Sequence, residues 1–251
     1  MDEEAIARGR ELLEQAEHVV GFTGAGVSTA SGIPDFRSEG GLWDTFDVRE
    51  FTFQRFQRDP AGFWELRAEL TRALKLDEVA PNPCHVAMAE AVQADAMQAV
   101  ITQNIDGLHQ LAGVPQDKVL EVHGTTRRTR CIKCRATQPI EDALAAVDAG
   151  TLPPSCSACG GVVKPDVVLF GEMLPADVLD RARRLARQAE VMLVAGSSLT
   201  VHPAAGLPEA TLLEGGDLII VNQDPTPLDG RASVVLRGRV EDAVPRLLSQ
   251  G

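Results

Sequence analysis

The sequence predicts an α/β fold organised by a parallel, doubly wound sheet, and three observations carry that prediction. Short, wholly apolar runs alternate with segments of helical periodicity. The runs have the length and aliphatic composition of strands buried on both faces. Several end in glycine or polar residues, where open α/β sheets hold ligands.

In chain order, apolar residues recur at helical spacing from Ile6 to Ala16. His18 to Phe22 then reads as a buried strand running into the turn Gly24-Ala25-Gly26. Further strands are predicted at Ala99–Thr102, Val119–Val122, Val191–Ala195 and Leu218–Val221, with helices at Pro83–Gln93 and Pro175–Gln188. The polar strand ends are Gly24-Ala25-Gly26, Gln103-Asn104-Ile105-Asp106, His123-Gly124, Gly196-Ser197-Ser198 and Asn222-Gln223-Asp224. In a parallel sheet these are expected to converge on one cleft. A mixed helical and loop insertion at 38–79 and a cysteine-bearing segment at 126–161 interrupt the alternation. The expected organisation is one domain, 1–251, with a large lobe of 1–37, 80–125 and 162–251 and a small lobe of 38–79 and 126–161.

Thirty-six acidic residues against 24 basic ones leave a net charge of −12. This speaks against direct nucleic-acid binding and is compatible with basic protein or peptide partners. The N-terminal stretch is acidic and amphipathic, unlike a secretory or transit peptide, and no apolar run reaches membrane-spanning length. A cytoplasmic monomer without membrane contact is expected.

Four of the five cysteines form two pairs, Cys131-Ile-Lys-Cys134 and Cys156-Ser-Ala-Cys159. Paired CxxC knuckles with a longer connection have the spacing of a zinc ribbon, and four thiolates would close a tetrahedron with no position open for water, so the metal would be structural. A redox dithiol, or cysteines that merely pack, are the alternatives. Cys84, between Pro83 and His85, reads as a small buried filler or as a thiol activated by a helix N-terminus.

The glycine turn is ambiguous on its own. Gly26 would let a pyrophosphate approach the backbone, but Thr29 stands where a dinucleotide fingerprint has its third glycine. Asn104 and Asp106 serve equally well as turn residues, and His123 before Gly124 could simply cap a turn.

Six motifs in order change the weight of these observations: GAGVSTASGIPDFRS from Gly24, QNID from Gln103, HG at His123, the paired CxxC motifs, VLFGE from Val168 and GSSLTVHPA from Gly196. Together, and across nearly the whole chain, they resemble the sirtuin family of NAD-dependent protein lysine deacylases. The resemblance implies a Rossmann-like sheet with a smaller zinc-ribbon plus helical lobe inserted, and a structural Zn2+ on Cys131, Cys134, Cys156 and Cys159. It implies NAD consumed as a cosubstrate, acylated lysine peptides or proteins as partners, and transfer of the acyl group to ADP-ribose with release of nicotinamide and O-acyl-ADP-ribose. By the same resemblance His123 is the general base and Asn104 a catalytic partner. Gly24, Ala25, Gly26, Ser28, Ile33, Pro34, Asp35, Phe36, Arg37 and Trp43 line the cofactor site with Gln103, Asn104, Ile105 and Asp106, while Gly196, Ser197, Ser198, Asn222, Gln223, Asp224 and Val240 face the adenosine half.

Val168, Phe170, Gly171 and Glu172 are expected to offer an extended backbone edge to the peptide. Family members preferring succinyl or malonyl groups carry a tyrosine and, three residues later, an arginine. This chain has no tyrosine and places Trp64 and Arg67 there, a candidate acyl contact for an alternative desuccinylase or demalonylase. A mono-ADP-ribosyltransferase, a non-catalytic NAD sensor and a hydride-transferring dehydrogenase are the other readings.

Overall fold

Strands β1 (Val19–Thr23), β2 (Ala99–Thr102), β3 (Val119–Glu121), β4 (Gly124–Cys131), β5 (Thr137–Pro139), β6 (Val163–Val167), β7 (Val191–Ala195), β8 (Asp217–Val221) and β9 (Val234–Leu236) form two sheets. They are seen in a computed structural model that describes residues 2–35, 41, 46–73 and 78–249. The larger sheet has the order β3-β2-β1-β7-β8-β9, and every neighbouring pair is parallel. Its central strands are buried along their whole length, in keeping with their mostly apolar sequence.

Among the described residues the helices in chain order are α1 (Glu3–Gln15), α2 (Phe53–Arg58), α3 (Pro60–Ala73), α4 (Pro83–Gln93), α5 (Leu108–Leu111), α6 (Ile140–Asp148), α7 (Ala176–Gln188), α8 (Gly206–Leu213) and α9 (Val240–Leu248). Local chemistry starts several of them. Asp2 caps α1 by accepting from the Ala5 amide (3.1 Å), with Glu3 and Glu4 against the positive end of the helix dipole. Asn82 and His85 form a reciprocal capping box at the start of α4, and Pro83 occupies the first turn, where no amide is needed.

Each face of the large sheet is covered. Ile6 and Leu12 of α1, Met88 and Val92 of α4 and Val244 and Leu247 of α9 pack with Val19, Val100, Leu193 and Ile219 on one side. On the other, Leu179, Ala182 and Ala186 of α7 and Leu207 of α8 pack with Phe22, Ile101, Met192 and Leu218. Burying a large aliphatic or aromatic side chain contributes about 1.5–3 kcal/mol, so these two layers hold the sheet.

The smaller sheet is antiparallel, in the order β5-β4-β6. It reaches beyond the 126–161 segment on both sides, because β4 starts at Gly124, directly after His123, and β6 runs on to Val167. Phe56, Phe63 and Trp64 from α2 and α3 share a core with Cys131, Cys156, Val163 and Leu169, so the helical insertion and the cysteine segment form one body. No helix among the described residues is long and apolar enough to cross a membrane.

Candidate functional site

The order of the large sheet reverses between β1 and β7, and the carboxyl ends of strands at such a point are where open α/β sheets hold ligands. The two loops there meet backbone to backbone. The Gly24 amide donates to Ala195 O (3.2 Å) and the Gly26 amide to Gly196 O (2.9 Å). A Cβ on Gly196, whose φ is +58°, would lie 2.4 Å from Val27 N, and one on Gly26 would lie 2.9 Å from Gly196 Cα. The missing third glycine is explained locally: Thr29 opens a short 3-10 turn and its hydroxyl donates back to Gly26 O (3.0 Å). Gly196→Ala is expected to cost about 2–5 kcal/mol, left-handed strain plus overpacking, seen as a lower urea midpoint.

Four strand ends are joined by two hydrogen-bonded sets, which meet along the chain at Gln103 and Asn104. Asn104 Nδ2 donates to Ser28 Oγ (3.0 Å), which donates to Asp106 Oδ2 (2.7 Å), and the Leu108 amide donates to Asp106 Oδ1 (2.9 Å). Burial pushes the Asp106 carboxyl pKa above the usual carboxylate value, the hydrogen bonds from Leu108 and Ser28 opposing it. Gln103 Nε2 donates to Ser197 Oγ (2.8 Å), linking the end of β2 to that of β7.

His123 sits at the end of β3 with Nδ1 2.9 Å from Gln103 O. A carbonyl only accepts, so Nδ1 carries the proton and the Nε2 lone pair is left for chemistry. Burial lowers the His123 pKa, so the ring is neutral at neutral pH. The glycine that follows is obligatory: at φ +76°, a Cβ on Gly124 would lie 2.0 Å from Asp166 O across the small sheet. That close crossing sets His123 at the junction of the two sheets.

Three network members were not anticipated from the sequence. Thr23 Oγ1 donates to Thr102 Oγ1 (2.8 Å), which accepts from the Asn104 amide (3.0 Å), and buried His109 Nε2 lies 2.9 Å from Thr23 Oγ1. Burial holds His109 far below the ordinary histidine range, so it stays neutral. Asn82 ties α4 to the glycine loop by donating to Val27 O (2.7 Å) and Ser31 Oγ (2.9 Å). The Asn-Pro helix start was the one sequence signal for this tether.

The remaining candidates divide. Ala25, Ile33, Pro34 and Asp35 are partly buried along the loop after β1, and Ile105 anchors β4 by accepting from the Thr126 amide (2.8 Å). Ser198, Gln223 and Asp224 are exposed at the ends of β7 and β8, and Asn222 Nδ2 donates to Asp224 O (2.8 Å). Phe36, Arg37 and Trp43 lie outside the described residues.

Three candidate side chains are buried, which corrects the acyl contact expected of Trp64. Val240 opens α9 with its side chain in the core, 3% exposed, so only its backbone is left for a ligand. Trp64 is wholly buried and its Nε1 donates to Val163 O (2.9 Å), which leaves it no surface for an acyl group. Arg67 is also buried and donates to Thr71 Oγ1 (2.7 Å) on its own helix.

The segment from Val168 to Glu172 ends in a turn, and Phe170 forms a β-bridge with Thr52. Its Phe170 amide donates to Phe51 O (3.1 Å) and its Phe170 carbonyl accepts from the Phe53 amide (3.0 Å), so one side is already paired. Phe170 remains 46% exposed at the tip.

The four paired cysteines bring their sulfurs within 4.8 Å of one another, with Cys131 to Cys159 at 3.6 Å and Cys134 to Cys156 at 3.7 Å. A tetrahedron of thiolates about 2.3 Å from zinc has edges of about 3.8 Å, so the donor set fits a closed structural site. The amides of Cys134 and Lys133 point at Cys131 Sγ (3.5 and 3.4 Å) and pull its thiol down to about 6. Cys84 is fully buried and its thiol is pushed up by that burial, the behaviour of a filler.

Comparison with known proteins gives this geometry a family. A model of the Sir2 family matches residues 24–203. A protein of Sulfurisphaera tokodaii named NAD-dependent protein deacetylase is 46% identical over 235 residues, 94% of this chain and 91% of that protein. One of the same name from Haloarcula marismortui is 45% identical over 253 residues, covering 100% and 96%. Among solved structures, a Sir2 complex with a p53 peptide and NAD+ superposes with a TM-score of 0.86 at 35% identity, covering 99% of this chain and 98% of that one. With more than half of its length matched by the family model and relatives this similar along nearly all of it, the chain belongs to the Sir2 family.

Proposed function

We propose that the protein is an NAD-dependent protein lysine deacylase that transfers the acyl group of an acyl-lysine peptide to ADP-ribose, with release of nicotinamide and O-acyl-ADP-ribose. The observation that carries this reading is the His123 ring, left neutral with Nε2 unprotonated and oriented by the carbonyl of Gln103, the residue directly before Asn104, which forms its own hydrogen-bonded set with Ser28 and Asp106. Bound NAD supplies the nicotinamide–ribose bond and the ADP-ribose acceptor. His123 Nε2 accepts a proton from a ribose hydroxyl, and Gln103 O stabilises the ring as it becomes charged. Asn104 and Asp106 present an amide and a carboxylate for the ribose and carboxamide, held by Ser28. The glycine contact at the switch point forms the floor for the pyrophosphate.

Relatives support the same activity: deacetylases at 45–46% identity, and a protein of Archaeoglobus fulgidus named NAD-dependent protein deacylase 2, 40% identical over 250 residues. With Trp64 in the core, acetyl is the preferred acyl group of this reading over succinyl or malonyl. The test is to incubate the protein with NAD and matched acetyl-, succinyl- and longer acyl-lysine peptides and follow peptide and nucleotide by mass spectrometry. Free lysine with equimolar O-acyl-ADP-ribose, fastest from the acetyl peptide, is expected. ADP-ribose attached to protein, with the acyl-lysine left intact, would replace this reading with ADP-ribosyl transfer.

A further inference from the structure

The turn that carries Phe170 is anchored by a buried ion pair that no step above uses. Lys164 lies on β6 with 11% of its side chain exposed, and its Nζ is 3.0 Å from Glu172 Oε2, itself on a side chain only 19% exposed. The same ammonium donates to Val167 O (2.6 Å) and Pro165 O (3.2 Å). An ammonium has three protons, and all three have acceptors here.

Glu172 carries the anchorage onward. Its Oε2 also accepts from the Leu169 amide (2.9 Å), and its own amide donates to Leu169 O (2.9 Å), closing a four-residue turn. The third residue of that turn is Gly171 at φ +88°, with open space where a Cβ would stand, so glycine is there for its conformation alone. Immediately upstream, the Val168 amide donates to His123 O (2.8 Å). Lys164 therefore grips both ends of the segment 167–172, and that segment is bonded directly to the residue bearing the base.

We propose that Lys164 and Glu172 are a positioning pair: they fix the peptide-docking turn in register with His123, and Lys164 itself touches no substrate atom. The proposal rests on the deacylase reading, because it takes the turn to be where the acyl-lysine peptide docks. A pair of this kind gives the chain one arrangement and not merely a stable one, since an apolar side chain would fill the space as well but could not select the turn's orientation. Arginine can supply the same donors to the same acceptors; methionine supplies none.

The experiment measures acetyl-peptide KM, NAD KM and kcat for the parent protein, K164M, K164R, E172Q and the double variant K164M/E172Q, with thermal unfolding of each. Acetyl-peptide KM is expected to rise about tenfold in K164M and in E172Q, with NAD KM within about twofold of the parent, the signature of lost peptide binding. K164R is expected to restore peptide KM to within about threefold, and the double variant to be no worse than the worse single one, because a pair that acts as a unit is lost once. Unchanged peptide KM in both single variants, or fully additive losses in the double, would overturn the pair. If K164M does not fold, E172Q decides the matter, since it keeps an acceptor for the Leu169 amide and loses only the charge. A parent protein that makes no O-acyl-ADP-ribose would refute the deacylase reading instead, and an active parent with indifferent variants would refute only the positioning role.

Discussion

His123→Ala is expected to lower acyl-lysine turnover by about a hundred- to ten-thousand-fold while NAD binding persists, the range typical for loss of a positioned general base. The size of the effect follows from the geometry. Nδ1 is committed to Gln103 O at 2.9 Å, so the proton-accepting atom is fixed and no neighbouring side chain in the network is a comparable base. Asp106 is occupied by Ser28 and the Leu108 amide, and His109 is sealed in the core against Thr23. The pH dependence has a definite sign. Neutral imidazole is the working form, and burial lowers the pKa of His123, so the neutral form persists below the ordinary histidine value. Activity should therefore hold through neutrality and fall only as pH drops below about 6.5. A kcat/KM profile whose acid limb has its midpoint above that value, or an alanine variant as active as its parent, would remove His123 from this role.

Much of the frame was legible because parallel strands buried on both faces leave an unmistakable record. Ala99–Thr102 and Val191–Ala195 are strands over the predicted residues, and β1, β3 and β8 differ only at their ends. The elements that escaped have physical reasons. β9 is three residues long and pairs at the sheet edge, too short for any periodicity to register. Helix α9 contains Pro245, which reads as a breaker, yet Val240, Ala243, Val244 and Leu247 form a buried stripe that outweighs the missing hydrogen bond. Strand β4 carries Arg127, Arg128 and Arg130, charges that mask a strand whose Thr125, Thr129 and Cys131 point inward. Arg128 and Arg130 both pair with Asp166 on β6, a partner 36 or more residues away that no local pattern can supply.

The site divides in the same way. Polar residues at strand ends could be assigned to one cleft because a parallel sheet puts all its carboxyl ends on one side, which is topology and therefore readable. What each residue holds depends on contacts between distant segments. Thr23, Thr102 and His109 are apolar-run or helix residues in sequence, and become a relay to the Asn104 amide only when β1, β2 and α5 are packed together. Trp64 was misplaced for the converse reason: a motif match gives a position along the chain but not which way the side chain faces. Inside the small-lobe core the indole is more valuable as a buried surface and a donor to Val163 O than as a ligand contact.

Removing the metal, by a strong chelator or by Cys131→Ala, is expected to abolish peptide deacylation and melt the small lobe while the large sheet survives. Structural zinc contributes an apparent 10–16 kcal/mol in small domains, roughly the whole stability of such a unit. The loss would not stay at the knuckles. Cys131 and Cys156 belong to the same core as Phe56, Phe63, Trp64, Val163 and Leu169, so α2, α3 and β6 lose their packing together with the metal site. Leu169 begins the turn proposed above to dock the peptide, and Val168 bonds to His123, so the damage should reach turnover directly. Gly24, Gly26 and Gly196 closely follow strands of the other sheet, and their amides donate to Ala195, Gly196 and Val221 there, so nucleotide binding should decline far less. Hydrogen exchange should then show loss of protection confined to β4, β5, β6 and the 53–73 helices, with β1, β2, β7 and β8 still protected. A metal-free protein that kept its peptide KM would mean that the small lobe is held by its apolar core alone, and that four sulfurs gathered within 4.8 Å serve no purpose in the fold.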